Sequence, residues 1–245
     1  MQSLNDASLT RNGKSIILAH DHGLEHGPDA FSAVPERLDP DRVFRMATHD
    51  AVTGFAVQKG LAETYYPSYE DDVTLLAKLN GTSNLWEGEP YSPGTCSVEY
   101  AAELGADAVG FTVYPGTNHE PAMIKEFRDV QETAREYDLP VAMWSYPRGQ
   151  AVKAHRKPEV IAYATRIGLE LGADLAKVKY PRSKEAMAHA VDAAGDMPVV
   201  LSGGSKTSDR EFLSMVETAM DAGASGLAVG RNVWQHEDPE FILDA

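Results

Sequence analysis

The stretch Glu170-Leu-Gly-Ala-Asp-Leu-Ala-Lys-Val-Lys-Tyr-Pro181 decides the fold, because its grammar returns elsewhere in the chain. It echoes in Glu103-Leu-Gly-Ala-Asp-Ala-Val-Gly-Phe-Thr-Val-Tyr-Pro115 and in Asp221-Ala-Gly-Ala-Ser-Gly-Leu-Ala-Val-Gly-Arg231. In each, a helical pattern ends at a glycine (Gly105, Gly172, Gly223), the residue that adopts the left-handed cap cheaply. An apolar run of about five residues follows at once and reads as a strand buried on both faces.

Working outward, the other strands fall into place. Residues 15–19 (SIILA) are the first, 53–57 (TGFAV) the second and 73–79 (VTLLAKL) the third. Residues 107–113, 140–145, 174–179, 197–202 and 225–230 complete eight. Helical patterns lie between most of them. Residues 119–137 carry Met123, Ile124, Phe127, Val130 and Ala134 at mostly three- and four-residue steps. Residues 158–171, 183–194 and 208–222 each open with Pro or Ser, as helix starts do.

Eight strands alternating with helices predict an α/β fold, a (β/α)8 TIM barrel, as one domain over residues 1–245. A doubly wound open sheet is the alternative, but the GxGxxG fingerprint after its first strand is missing. Only 15 residues follow Gly230, so the last helix must be short. The stretch from Asp21 to about Pro40 precedes the first expected helix and is read as an arch over the barrel mouth.

Composition narrows the function. The 245 residues hold 22 basic and 37 acidic side chains, a net charge of −15, without a basic run. That excludes nucleic acid as a main partner. No apolar run reaches the roughly 20 residues of a membrane span. The N-terminal MQSLNDASLTRNGK lacks the apolar core of a secretory signal. Cys96, the one cysteine, makes no internal disulfide and no zinc cluster. A cytoplasmic protein is expected, its acidity either an ordinary solvated surface or an adaptation to a salt-rich cytosol.

In a barrel the site lies at the C-terminal strand ends. Lys177 and Lys179 are the sharpest signal there. Lysine suits a doubly buried strand poorly, and residues two apart face one way. Their repulsion would lower one pKa, and a neutral amine attacks a carbonyl to form an imine. The alternative is that one pairs with a carboxylate while the other reaches the rim. Ser202-Gly203-Gly204 and Gly230-Arg231 end strands 7 and 8, where backbone N–H groups and a guanidinium can hold phosphate; plain tight turns are the alternative. Tyr146, two residues past Trp144, either moves protons with a pKa lowered by lysine or packs as an ordinary aromatic. Asp21 either orients the lysine or serves a turn. His20 and His22 should share a strand face, but with His26 they match no metal signature, so no metal is expected.

These segments together resemble the archaeal-type class I fructose-bisphosphate aldolases of the wider DhnA/DeoC-like group, over nearly the whole chain. The phrases that carry the resemblance are Asp21-His-Gly-Leu-Glu-His-Gly-Pro28, Trp144-Ser-Tyr-Pro-Arg-Gly149, Lys177-Val-Lys-Tyr180, Ser202-Gly-Gly-Ser-Lys-Thr207 and Val229-Gly-Arg-Asn-Val-Trp-Gln235. The resemblance implies a metal-independent aldolase without cofactor, with a covalent imine on Lys177. It implies Tyr146 as general acid/base, Trp144 shaping the pocket and Asp21 assisting proton transfer. Ser202, Gly203, Gly204, Gly230 and Arg231 would hold one phosphate of a phosphosugar. Lys179 counts among the substrate-binding residues, and Arg148 and His26 are candidates for the second phosphate. It also implies a ring-based homo-oligomer, such as a decamer. Pro181 departs from the pattern, since relatives often carry Thr-Gly after the tyrosine. A 2-amino-3,7-dideoxy-heptulosonate synthase is the nearest rival reading, and a non-catalytic phosphosugar-binding barrel a remote one. A bisphosphate would need a local positive well in this acidic chain, expected from Arg148, Lys177, Lys179, Lys206 and Arg231.

Overall fold

The computed structural model describes residues 9–31 and 39–245. Eight parallel strands close on themselves in chain order. They are β1 (Ser15–Ala19), β2 (Gly54–Gln58), β3 (Leu75–Lys78), β4 (Ala108–Val113), β5 (Val141–Ser145), β6 (Leu175–Lys179), β7 (Val199–Ser202) and β8 (Gly226–Val229). The expected barrel is therefore the fold. Boundaries moved by a residue or two. β3 begins at Leu75 rather than Val73, because the Val73 N–H turns back to the Tyr69 carbonyl at 2.9 Å.

The barrel closes where β8 meets β1, with Ser15 opposite Gly226 and Leu18 opposite Val229. Gly226 has φ 144°, and a Cβ there would overlap the Ser15 carbonyl oxygen. Closure thus requires the missing side chain. The three glycines of the repeated grammar do end their helices with positive φ, at 80°, 77° and 94°.

Strand alternation sorts the core into two shells. Ile17, Ala56, Leu76, Ala108, Ala142, Leu175, Val200 and Ala228 point inward and pack together, joined by Leu9. Leu9 is fully buried and fixed by the Ser15 hydroxyl, which donates to its carbonyl at 2.8 Å. The outward shell, including Phe55, Val109, Met143 and Leu201, lies beneath the helices. Each large side chain so buried contributes about 1.5–3 kcal/mol.

The helices are α1 (His22–His26), α2 (Pro40–Ala47), α3 (Lys59–Tyr65), α4 (Val98–Glu103), α5 (Glu120–Glu136), α6 (Pro158–Glu170), α7 (Lys184–Ala194), α8 (Asp209–Asp221), α9 (Arg231–Trp234) and α10 (Pro239–Asp244). The helix starts read from Pro and Ser hold. Pro158 opens α6, the Ser183 hydroxyl caps α7, and Ser208 with Glu211 forms a reciprocal capping box on α8. The chain after β8 makes two short helices, as its length required. The arch expected from Asp21 is partly helical: α1 and a 3-10 turn at Pro28–Phe31 lie within it. A five-residue helix whose Asp21 makes no side-chain cap leaves little periodicity to read. Residues 32–38 of that arch lie outside the described residues.

Candidate active site

Inward alternation carries Lys177 to the barrel axis, in register with Trp144 of β5 and Val200 of β7. Its ammonium nitrogen sits 4.7 Å from the centre of the Trp144 ring, and the residue is 4% exposed. Burial lowers its pKa below that of an ordinary lysine. Asp21 and Glu25 oppose that shift, while Lys78 reinforces it.

The expected lysine pair needs correction here. Lys177 and Lys179 do face inward together, but Lys179 is not the cation that acts on Lys177. Two residues along a strand are about 7 Å apart, so they sit at different depths. The effective neighbour is Lys78 of β3, fully buried, with its nitrogen 5.6 Å from the same indole. Lys179 lies nearer the mouth, 5.7 Å from the Tyr146 ring, where burial, Arg148 and Arg156 bring its pKa down to about 8.

Asp21 is 5% exposed. Burial alone would raise its pKa, but Lys177, His22 and Lys78 outweigh that and hold the carboxyl below its ordinary value. His22 Nδ1 stands 3.5 Å from the Asp21 carboxylate. Glu25 behaves oppositely, since burial and the Asp21 charge raise its pKa. The two carboxyl groups near the same amine are therefore shifted in opposite directions.

Tyr146 also departs from expectation. Its pKa is pushed far up, not down, first by burial and further by Asp21 and Glu25. Ser202 and Arg148 only partly offset this. The resting side chain is thus a phenol, able to give a proton before it can take one.

Ser202, Gly203, Gly204, Gly230 and Arg231 line one side of a single cavity of about 510 Å³, with Lys177 at its base. Gly230 is confined: a Cβ there would stand 2.6 Å from the Ala19 carbonyl oxygen and from His22. Arg231 Nε is buried without a hydrogen-bond partner. Asn232 braces this rim. Its amide donates to the Gly203 carbonyl at 2.8 Å, and its side-chain oxygen accepts from the Thr207 N–H at 2.9 Å.

Arg148, Lys179, Arg156 and Arg182 line the same cavity. Arg148 lies 4.5 Å over the Tyr114 ring, and Arg156 donates to the Tyr180 carbonyl at 3.4 Å. No ion pair joins any of these four to a carboxylate among the described residues. Arg182 has φ 73°, the left-handed region. It follows Pro181 in the loop after β6. Lys206, expected in the positive well, is exposed and does not line the cavity. His26 stacks on His22 at 5.4 Å, and burial followed by Arg231 lowers its pKa.

His20 and His22 do not share a face. His20 points outward against Phe31 (5.0 Å), Trp234 and Phe55, and burial lowers its pKa to about 4. His22 belongs to α1. Among the described residues no group of three or more His, Cys, Asp or Glu is placed to hold a metal ion.

Sequence reasoning assigned no role to Lys78, Glu25, Arg156, Arg182 or Asn232. For Lys78 the signal existed: a lysine inside an apolar strand, the same anomaly that exposed Lys177. The others lie in loops or in helices of four or five residues, too short to show a periodicity.

Comparison with known proteins adds the lineage. A curated relative from Halobacterium salinarum, named fructose-bisphosphate aldolase class 1, is 65% identical over 244 residues, covering 100% of this chain and 93% of the relative. A 2-amino-3,7-dideoxy-D-threo-hept-6-ulosonate synthase from Archaeoglobus fulgidus is 35% identical, covering 97% and 86%. A solved archaeal fructose-1,6-bisphosphate aldolase, its catalytic Lys covalently bound to the carbinolamine intermediate of its substrate, superposes with a TM-score of 0.93 at 46% identity, covering 98% of this chain and 94% of that one. The DeoC/LacD family aldolase model matches residues 15–236, from the first barrel strand to past the last. By that match and these identities, the chain belongs to the DeoC/LacD family of aldolases.

Proposed function

We propose that this chain is a class I fructose-bisphosphate aldolase, cleaving fructose 1,6-bisphosphate reversibly to dihydroxyacetone phosphate and glyceraldehyde 3-phosphate. The observation that carries this reading is Lys177, a buried amine with a lowered pKa at the base of a cavity walled by cations on two sides. The 65% identity to a named aldolase of this class, against 35% for the heptulosonate synthase, favours it over that rival. The convergence of Lys177 and Tyr146 on one cavity favours chemistry over mere phosphosugar binding.

The protonation states suggest an order of events. The neutral Lys177 amine attacks the C2 carbonyl and forms a carbinolamine. The Tyr146 phenol gives its proton to the departing C2 hydroxyl, which leaves as water. A protonated imine and a phenolate remain. The phenolate then takes the C4 hydroxyl proton as the C3–C4 bond breaks and its electron pair flows into the iminium. The aldehyde leaves, and the enamine stays on Lys177. Protonation at C3, with Tyr146 as donor, and hydrolysis release the ketone and restore the amine. Asp21, an anion beside Lys177, stabilises the cationic intermediates. The iminium supplies the electron sink, so the reading needs no metal ion.

In this reading the Ser202–Gly204 and Gly230–Arg231 rim holds the ketone phosphate. Arg148, Lys179, Arg156 and Arg182 hold the second, with His26, which feels the charges of both Arg231 and Arg148, as a further candidate. The Halobacterium relative and the charge of −15 support function in concentrated salt. The substrate, a phosphorylated sugar, supports a cytoplasmic setting, and exposed Leu85 and Trp86 support a homo-oligomer.

The test is borohydride reduction in the presence of fructose 1,6-bisphosphate, with the adduct located by mass spectrometry. The expected product is a stable adduct on Lys177. An adduct on Lys179 or Lys78, or none, overturns the assignment.

A further inference from the structure

Lys78 has no part in the reaction as written, yet its placement is costly. It is a lysine at 0% exposure at the C-terminal end of β3, outside the lining of the cavity. Such a group persists only if the fold holds it for a reason. Its ammonium donates to the Asn80 side-chain oxygen at 2.7 Å and to the Asn80 carbonyl at 2.5 Å. Asn80 is itself fully buried and pinned. Its amide donates to the Ser92 and Thr112 carbonyls at 2.9 and 2.8 Å, and its side-chain oxygen accepts the Thr112 N–H at 2.7 Å. The lysine is therefore tethered across β3 and β4 and cannot swing toward solvent. Its nitrogen and that of Lys177 both lie against the Trp144 ring, at 5.6 and 4.7 Å.

We infer that Lys78 is a positioning residue, a fixed positive charge beside Trp144 that balances Asp21 and so leaves the Lys177 amine free to act as a nucleophile. The argument is one of charge. Asp21 is a buried carboxylate that needs a cation. If Lys177 were its only strong partner, the two would form an ion pair and the amine would be locked as ammonium. Lys78 supplies the second cation: burial lowers its pKa, but Glu25 and Asp21 oppose that shift, and the two acceptors of Asn80 hold the ammonium form. The same charge opposes a second ammonium at Lys177.

The groups facing Lys177 are few enough to name. Asp21, His22 and Glu25 come from the β1 end and α1, Lys78 from β3 and Tyr146 from just past β5. Lys179 lies on its own strand, and Arg231 lies on α9. His22 is neutral near pH 7, its pKa brought to about 3 by burial. Among the described residues, Lys78 is the cation that shares the Trp144 ring with Lys177.

This inference rests on Lys177 as the imine-forming residue, and the experiment separates the two. The rate of borohydride-trapped adduct formation is measured against pH for the unaltered protein, Lys78→Met and Lys78→Arg, with folding checked by circular dichroism. The expected result for Lys78→Met is an alkaline shift of the profile, with trapping roughly tenfold slower near neutrality and recovery at high pH. Lys78→Arg, which keeps the charge, retains a profile near that of the unaltered protein. Where Lys78→Met does not fold, Lys78→Gln is read in its place. A uniform loss at all pH values, or an equal shift in Lys78→Arg, overturns the inference while sparing the nucleophile. Absence of any Lys177 adduct in the unaltered protein overturns the nucleophile and the inference with it.

Discussion

The Asp174 carboxylate accepts the backbone N–H of Val141, the first residue of β5, at 2.8 Å, while the Asp174 N–H donates to the Val141 carbonyl at 2.9 Å. Asp107 clasps Leu75 of β3 in the same way, at 2.7 and 2.9 Å. The aspartate of the repeated Gly-Ala-Asp phrase thus fastens the start of the preceding strand, satisfying an N–H that would otherwise be orphaned. Asp174→Ala should cost about 1–3 kcal/mol, the penalty for leaving such a group unpaired. Urea unfolding checks this, and an unchanged midpoint would show that the clasp is dispensable.

The Tyr146 phenol predicts a split between steps. Tyr146→Phe should still form a trapped adduct on Lys177, while cleavage falls on the order of 10²-fold or more. Single-turnover kinetics separate the two. Near-normal cleavage would mean that another group moves the C4 proton.

Lys179 predicts a pH limb in binding. With its pKa near 8, set by burial, Arg148 and Arg156, it is charged below that pH and neutral above it. A phosphate favours the charged form, so KM should rise as pH climbs through about 8 and stay flat below. Lys179→Met should show a higher KM at neutral pH and no such limb. A limb that survives the substitution belongs to another group.

Arg182 predicts opposite signs for binding and stability. Its left-handed backbone costs about 1–2 kcal/mol for a residue with a Cβ. Arg182→Gly removes that strain and loses the guanidinium. Stability should hold or rise, by at most about 1 kcal/mol once the freer unfolded chain is counted. KM for the bisphosphate should rise severalfold. Equal KM values would remove Arg182 from the second phosphate site.

Chelation offers a simple control. Dialysis against EDTA should leave aldolase turnover unchanged, because the imine supplies the electron sink. A clear loss, restored by a divalent ion, would contradict the Schiff-base reading.

The barrel was legible because its signals are local and repeated. Glycine-capped helices followed at once by apolar runs can be read from spacing alone, and so can two lysines in a strand that should hold none. The direction of the Tyr146 shift was not legible. It depends on how deeply β5 carries the ring and on Asp21 and Glu25 from across the mouth, contacts between residues more than a hundred positions apart. Lys78 escaped for the same reason: only barrel closure places it against the indole of Trp144. The strand alternation that made Lys177 and Lys179 look like a pair was correct about direction and silent about depth.

Leu9 and the inward apolar shell plug the barrel below the amine, so reactants meet Lys177 from the strand-end mouth. The traffic is then last in, first out. The fragment tethered at the base waits behind the one nearer the opening, so the aldehyde must clear before the ketone is released. In the condensing direction the ketone must load first, and an aldehyde that arrives early blocks its path. Excess aldehyde should therefore inhibit condensation competitively with the ketone, through geometry alone.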